Sequence, residues 1–106
     1  ELPAGIVEDD ESYAEAGARE LREETGFDPD SVTMLEDFWV ATGAMRHERA
    51  IVFAEGLTSV GANLDENEFL SVTQVPVEEA LSRARADPAN DATIQALLLA
   101  HEDGFL

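Results

Sequence analysis

A chain of 106 residues is long enough for one domain and too short for two, and 44% apolar content supports a modest core rather than a disordered coil. Twenty-four acidic residues against six basic ones give a formal net charge of -18, which repels nucleic acid and anionic lipid and removes both from the expected partners. The absence of cysteine excludes disulfides, thiolate metal sites and a cysteine nucleophile, and it suits a reducing, cytoplasmic setting.

All six basic residues are arginine. Self-repulsion at this charge density opposes compaction at low ionic strength, and molar salt shortens the Debye length to about 3 Å. The composition therefore reads as halophilic. No apolar run approaches membrane-spanning length, and Glu1-Leu2-Pro3 lacks the basic start and apolar stretch of a secretory signal.

In chain order, Glu1 to Asp10 reads as an extended segment and loop, punctuated by Pro3 and Gly5. Ser12 and Glu15 have the spacing of a capping box, so a helix is expected from Tyr13 to Thr25, ending at Gly26. Gly17 inside it costs about 1 kcal/mol against alanine, which marks either a close contact or a tolerated defect. Val32 to Val40 and Arg49 to Ala54 have strand composition, with a turn opening at Thr42-Gly43. Gly56 to Asn67 reads as a loop and Phe69 to Val75 as a third strand closed by Pro76. Val77 to Ala86 is an amphipathic helix facing inward through Ala80, Leu81 and Ala84. Asp91 is read as the cap of a last helix reaching His101, packed through Ile94, Leu97 and Leu98. Strands followed by packed helices indicate an α/β or α+β domain.

The chemistry concentrates on the first helix. Glu20, Glu23 and Glu24 stand at i, i+3 and i+4, so they share one helix face. Each like-charge pair costs up to about 4 kcal/mol at about 4 Å and an effective dielectric near 20. Arg19 lies four residues from both Glu15 and Glu23 and can brace either one. A divalent cation relieves far more of the repulsion, and magnesium takes such hard oxygen ligands. On spacing alone, a solvated acidic face is the better explanation of the pattern in so acidic a chain.

The longer pattern decides between them. Gly5, Glu11, Arg19, Glu20, Leu21, Glu23, Glu24, Gly26 and Phe27 match G-x5-E-x7-R-E-U-x-E-E-x-G-U at every fixed position, with U a bulky apolar residue. This stretch resembles the Nudix box. The resemblance implies an α/β/α sandwich with a mixed sheet, of which this chain is expected to lack the N-terminal strands. It implies divalent metal bound by Glu20, Glu23, Glu24 and the backbone carbonyl of Ala4, with magnesium as the ion and manganese as a substitute. It also implies that Arg19 and Glu11 hold the helix and loop in place, and that Gly5 and Gly26 let the chain turn at each end. The family hydrolyses a nucleoside diphosphate linked to another group.

Downstream, Leu64-Asp65-Glu66-Asn67-Glu68 and the following Phe69-Leu70-Ser71-Val72 resemble the catalytic loop and strand of the ADP-ribose pyrophosphatase branch. That match implies Glu66 as general base and Glu68 as a further metal or water contact. The alternative for Asp65, Glu66 and Glu68 is a set of ordinary loop acids. Branch members usually carry proline sixteen residues after the last box glycine, where this chain has Thr42, so other nucleoside diphosphate sugars stay open. The branch implies a small-molecule nucleotide substrate, AMP and ribose 5-phosphate as products from ADP-ribose, and a homodimer. Three alternatives are a nucleoside triphosphate pyrophosphohydrolase, a nucleotide-sensing module without catalysis, and an acidic interaction fragment. Phe38 and Trp39 read as strand core rather than as base-stacking residues. Arg46 and Arg49 read either as phosphate contacts or, at least equally well, as surface charge or partners of Glu48. His47 and His101 read as structural or solvated.

Overall fold

The computed structural model describes residues 1–61 and 71–106. Ser12 starts the first element. Its hydroxyl accepts the Glu15 N–H, and Glu15 Oε1 accepts the Ser12 N–H, both at 3.1 Å, so the expected capping box closes. Helix α1 spans Tyr13–Thr25 and stops at Gly26, whose φ of 76° lies in the left-handed region that favours glycine. Strands β1 (Phe27–Asp28), β2 (Ser31–Val40), β3 (His47–Glu55) and β4 (Thr58–Ser59) follow, then helices α2 (Val77–Ala86) and α3 (Asp91–Glu102).

The β2–β3 hairpin is the central layer. Its two faces follow from strand alternation and from a bulge between Met34 and Glu36, which moves the rest of β2 to the opposite parity. One face carries Val32, Met34, Asp37 and Trp39 opposite Ala54, Val52, Ala50 and Glu48. Helix α1 lies on this face. A Cβ at Gly17 would collide with Cγ2 of Val52, and the Tyr13 phenol is pushed above its ordinary range by burial and then by the Glu48 charge. The other face carries Thr33, Glu36 and Phe38 opposite Phe53, Ile51 and Arg49. Phe105, just past α3, lies against Phe53 with ring centroids 4.6 Å apart, and Arg49 reaches Asp91 at 3.4 Å. Helix α2 packs on α3. The layer order is therefore α/β/α, as expected. Both ladders among the described residues, β2–β3 and β1–β4, are antiparallel. No helix among these residues is long and apolar enough to cross a membrane.

Gly17 is thus a packing residue rather than a defect, and its substitution has a definite sign. Alanine at position 17 gains about 1 kcal/mol of helix propensity but overpacks the Val52 contact by about 1–3 kcal/mol. Urea denaturation should find Gly17→Ala destabilised in the native background. In a Val52→Ala background the same change should stabilise; destabilisation in both backgrounds would show that the Val52 contact does not set the sign.

Several local expectations are corrected. Of the strand expected over Phe69 to Val75, Phe69 and Leu70 lie outside the described residues, and Ser71 to Val75 form no strand, because no neighbouring strand among the described residues supplies ladder hydrogen bonds to them. The loop after Gly56 contains β4, which pairs with β1 and places the Val60 N–H 2.7 Å from the Gly26 carbonyl. The α3 cap is Asn90, not Asp91: Asn90 Oδ1 accepts the Thr93 N–H at 2.8 Å. Leu98 is half exposed, because the inward stripe of α3 runs through Thr93, Leu97 and Ala100 and Leu98 lies about 100° away from Leu97. Trp39 is 55% exposed rather than core. It pairs with Glu48 at the end of the hairpin, where Tyr13 begins α1, so no further helix turn covers it. Arg49 pairs with Asp91 and not with Glu48, its strand neighbour, whose side chain points to the opposite face.

Candidate active site

The site is organised by one guanidinium. Arg19 Nε and a terminal nitrogen donate to the two oxygens of Glu11 at 2.8 and 3.0 Å, a bidentate fork between α1 and the loop before it. Its Nη1 donates to Glu20 Oε1 at 2.8 Å and to Glu23 Oε2 at 3.3 Å. Its Nη2 also donates to the Ile6 carbonyl at 2.8 Å. Of the two braces open to Arg19, the one to Glu23 forms and the one to Glu15 does not, because the Glu15 carboxylate is occupied by the Ser12 N–H. Arg19 instead joins Glu11, Glu20, Glu23 and the backbone of the incoming strap.

That strap, residues 2 to 6, lies along the glutamate helix. The Ala4 N–H donates to Glu24 Oε2 at 3.2 Å. Gly5 has no positive φ, so its role is not to turn the chain. A Cβ built on it would fall onto the carboxyl group of Glu20. Glycine is needed here for close approach, and the seat it leaves is filled by the Glu20 carboxylate. Glu20 is only 18% exposed in its side chain, whereas Glu23 is 49% exposed.

The three box glutamates are therefore shared out between neighbours. Glu20 and Glu23 meet at Arg19, while Glu24 lies against Ala4. Among the described residues, no three acidic or histidine side chains form a group that could enclose a metal ion in this arrangement. The donor set still suits a hard divalent cation. It consists of carboxylate oxygens beside a main-chain segment, with one carboxylate seated in a space that a Cβ would fill. Glu66 and Glu68 lie outside the described residues.

The Glu11 carboxyl is held down from 4.5 to about 2, first by the Arg19 guanidinium and then by the Glu8 N–H, which donates to Glu11 Oε1 at 3.1 Å. The same hydrogen bonds, from Glu11 first and Glu20 second, keep Arg19 more firmly protonated. A folded-state pKa below the unfolded value contributes stability that is complete above about 4.5 and vanishes as pH falls through about 2. The Glu8–Glu11 loop should therefore stay attached to α1 at pH 3.5. A carboxyl-carbon NMR titration should place the Glu11 midpoint near 2; a midpoint near 4.5 would show that the fork is not formed in solution.

Comparison with known proteins gives the family of the chain. The NUDIX domain model matches residues 1–97. The chain belongs to the NUDIX domain family. It is 33% identical over 94 residues to an ADP-ribose pyrophosphatase of Bacillus subtilis (strain 168), covering 87% of this chain and 51% of that protein. It is 34% identical over 86 residues to a CMP-5'-(N-acetyl-N-hydroxy-3-aminopropyl)phosphonate hydrolase of Streptomyces rubellomurinus (strain ATCC 31215), covering 81% of this chain and 42% of that protein. A crystal structure of an ADP compounds hydrolase superposes with a TM-score of 0.78 at 28% identity, covering 96% of this chain and 58% of the other. The chain thus spans about half the length of the curated relatives it matches.

The box pattern in the sequence led to Ala4, Arg19, Glu20, Glu23 and Glu24. It did not reveal that Arg19 also holds the Ile6 carbonyl, nor that Gly5 makes room for Glu20. It gave no sign of Thr93, whose hydroxyl accepts the Leu2 N–H from the far end of the chain.

Proposed function

We propose that the protein hydrolyses the diphosphate linkage of ADP-ribose or a related nucleoside diphosphate sugar with the help of magnesium, for which manganese substitutes. The observation that carries this reading is the Arg19-centred arrangement, which sets the box glutamates beside the Ala4–Gly5 strap. Family membership and the named activities of the relatives support it. Ala4 through its carbonyl, with Glu20, Glu23 and Glu24, would hold the cation, and Glu68 would add a contact. When bound, the cation supplies charge neutralisation at the diphosphate and acidifies a water.

The chain's own residues do the rest. Arg19 gathers Glu20 and Glu23 beside the strap and offsets their mutual repulsion before an anionic substrate arrives. Glu66 is assigned as general base, accepting a proton from the attacking water. Water oxygen bonds to one phosphorus as the bridging phosphorus–oxygen bond breaks, and ADP-ribose gives AMP and ribose 5-phosphate. Thr42 in place of the branch proline, together with a relative that acts on a CMP-linked phosphonate, argues for including other nucleoside-linked substrates in any assay. A homodimer and a cytoplasmic location belong to the same proposal.

The test is a substrate panel on the full-length protein, with and without magnesium, at high salt. Glu24→Gln keeps the size of the side chain but removes its charge, and should lower both ADP-ribose turnover and magnesium affinity by at least about 10²-fold. Unchanged turnover would remove Glu24 from the metal set. Glu66→Gln should slow turnover and spare magnesium affinity; a matching loss of affinity would make Glu66 a ligand instead of a base.

A further inference from the structure

Thr93 is a polar residue buried to 6% exposure, in the first turn of α3. Burial of a hydroxyl is unfavourable without a hydrogen-bond partner, and here Thr93 Oγ1 accepts the Leu2 N–H at 3.3 Å. Two residues further along the strap, the Ala4 N–H donates to Glu24 at 3.2 Å, and two beyond that the Ile6 carbonyl accepts from Arg19 at 2.8 Å. The strap is therefore tied at three successive alternate residues. The last two ties run to α1, on one face of the hairpin. The first runs to α3, on the other face.

The α1 ties both end on flexible side chains, Glu24 and Arg19. The Thr93 tie is different. Thr93 is buried, β-branched and anchored in its own helix by the Asn90 cap, so its hydroxyl is the stiffest of the three attachment points. Any sliding of the strap relative to α1 carries Ala4 and the Gly5 seat with it.

We infer that Thr93 is a positioning residue for the candidate metal site, holding the Ala4–Gly5 strap beside the Glu20 and Glu24 carboxylates of α1. This inference rests on the metal reading proposed above. It links α3, which supplies no ligand, to cation affinity through a single main-chain hydrogen bond.

The experiment uses magnesium alone, titrated calorimetrically into the full-length protein without nucleotide. Thr93→Val keeps the shape and removes the acceptor. Leu2→Pro removes the donor from the other side without touching α3. Each should weaken magnesium affinity about 10-fold, and the two together should weaken it no more than one alone. Thr93→Ser, which restores the hydroxyl, should bind within about 2-fold of the wild type. In metal-free protein, NMR hydrogen exchange at the Leu2 and Ala4 amides should accelerate in Thr93→Val and return in Thr93→Ser. A wild-type protein that binds magnesium while Thr93→Val and Leu2→Pro bind it equally well overturns the role of Thr93 alone. A wild type that does not bind magnesium, or a Glu24→Gln variant that binds it normally, overturns the metal reading and this inference with it.

Discussion

Gly5→Ala should abolish most activity while leaving the fold almost as stable as before. The added Cβ would land on the carboxyl group of Glu20, so either that carboxylate leaves its seat or the strap lifts from α1. The clash is with the end of a flexible side chain, so the stability cost should stay below about 1 kcal/mol. The functional cost is larger, because either movement changes where the Glu20 carboxylate stands relative to the strap. A misplacement of about 1 Å at a reacting centre lowers turnover about 10²-fold. Magnesium calorimetry beside thermal unfolding separates the two effects. Normal magnesium affinity in Gly5→Ala would mean that the Glu20 seat is not part of the cation site.

Arg19→Lys is expected to behave like a loss of the residue although it keeps the charge. The guanidinium donates five hydrogen bonds, including a planar fork to both oxygens of Glu11. An ammonium has three donors on a single atom and cannot span Glu11, Glu20 and Ile6 together. Three carboxylates would then face one another with less compensation, and the loop before α1 would loosen. Turnover should fall about 10²-fold. The Glu11 titration should move up from about 2 toward 4.5, because the first cause of its depression is gone. Stability in acid should respond accordingly, with the Glu11 contribution lost at higher pH than in the wild type. Wild-type turnover in Arg19→Lys would show that charge alone, without the fork, organises the site.

How far the sequence could be read depended on the reach of each interaction. The capping box of α1, its glycine stop and the ends of α2 lay within a few residues of their causes, and the structure reproduces those boundaries. The hairpin strands were legible by composition. Their bulge was not, because it has no sequence mark, and it decides which residues of β2 face α1. Ser71 to Val75 have strand composition but no partner strand among the described residues, and composition alone does not make a ladder. Trp39 was misread for a related reason: its exposure depends on where α1 starts on the sheet, which strand pattern does not encode.

By itself the sequence determined the site's components: three carboxylates on one helix face, an arginine among them, glycines at both ends, and the family to which the chain belongs. Those follow from helix periodicity and local capping, where cause and effect lie within one or two turns. The tertiary structure alone decided how the components are shared. It sends Glu20 into the seat left by Gly5, Glu24 to the Ala4 amide and Thr93 to the Leu2 amide 91 positions away. Contacts at such separations depend on how helices and strap are stacked across the hairpin, and no local pattern of residues specifies that stacking.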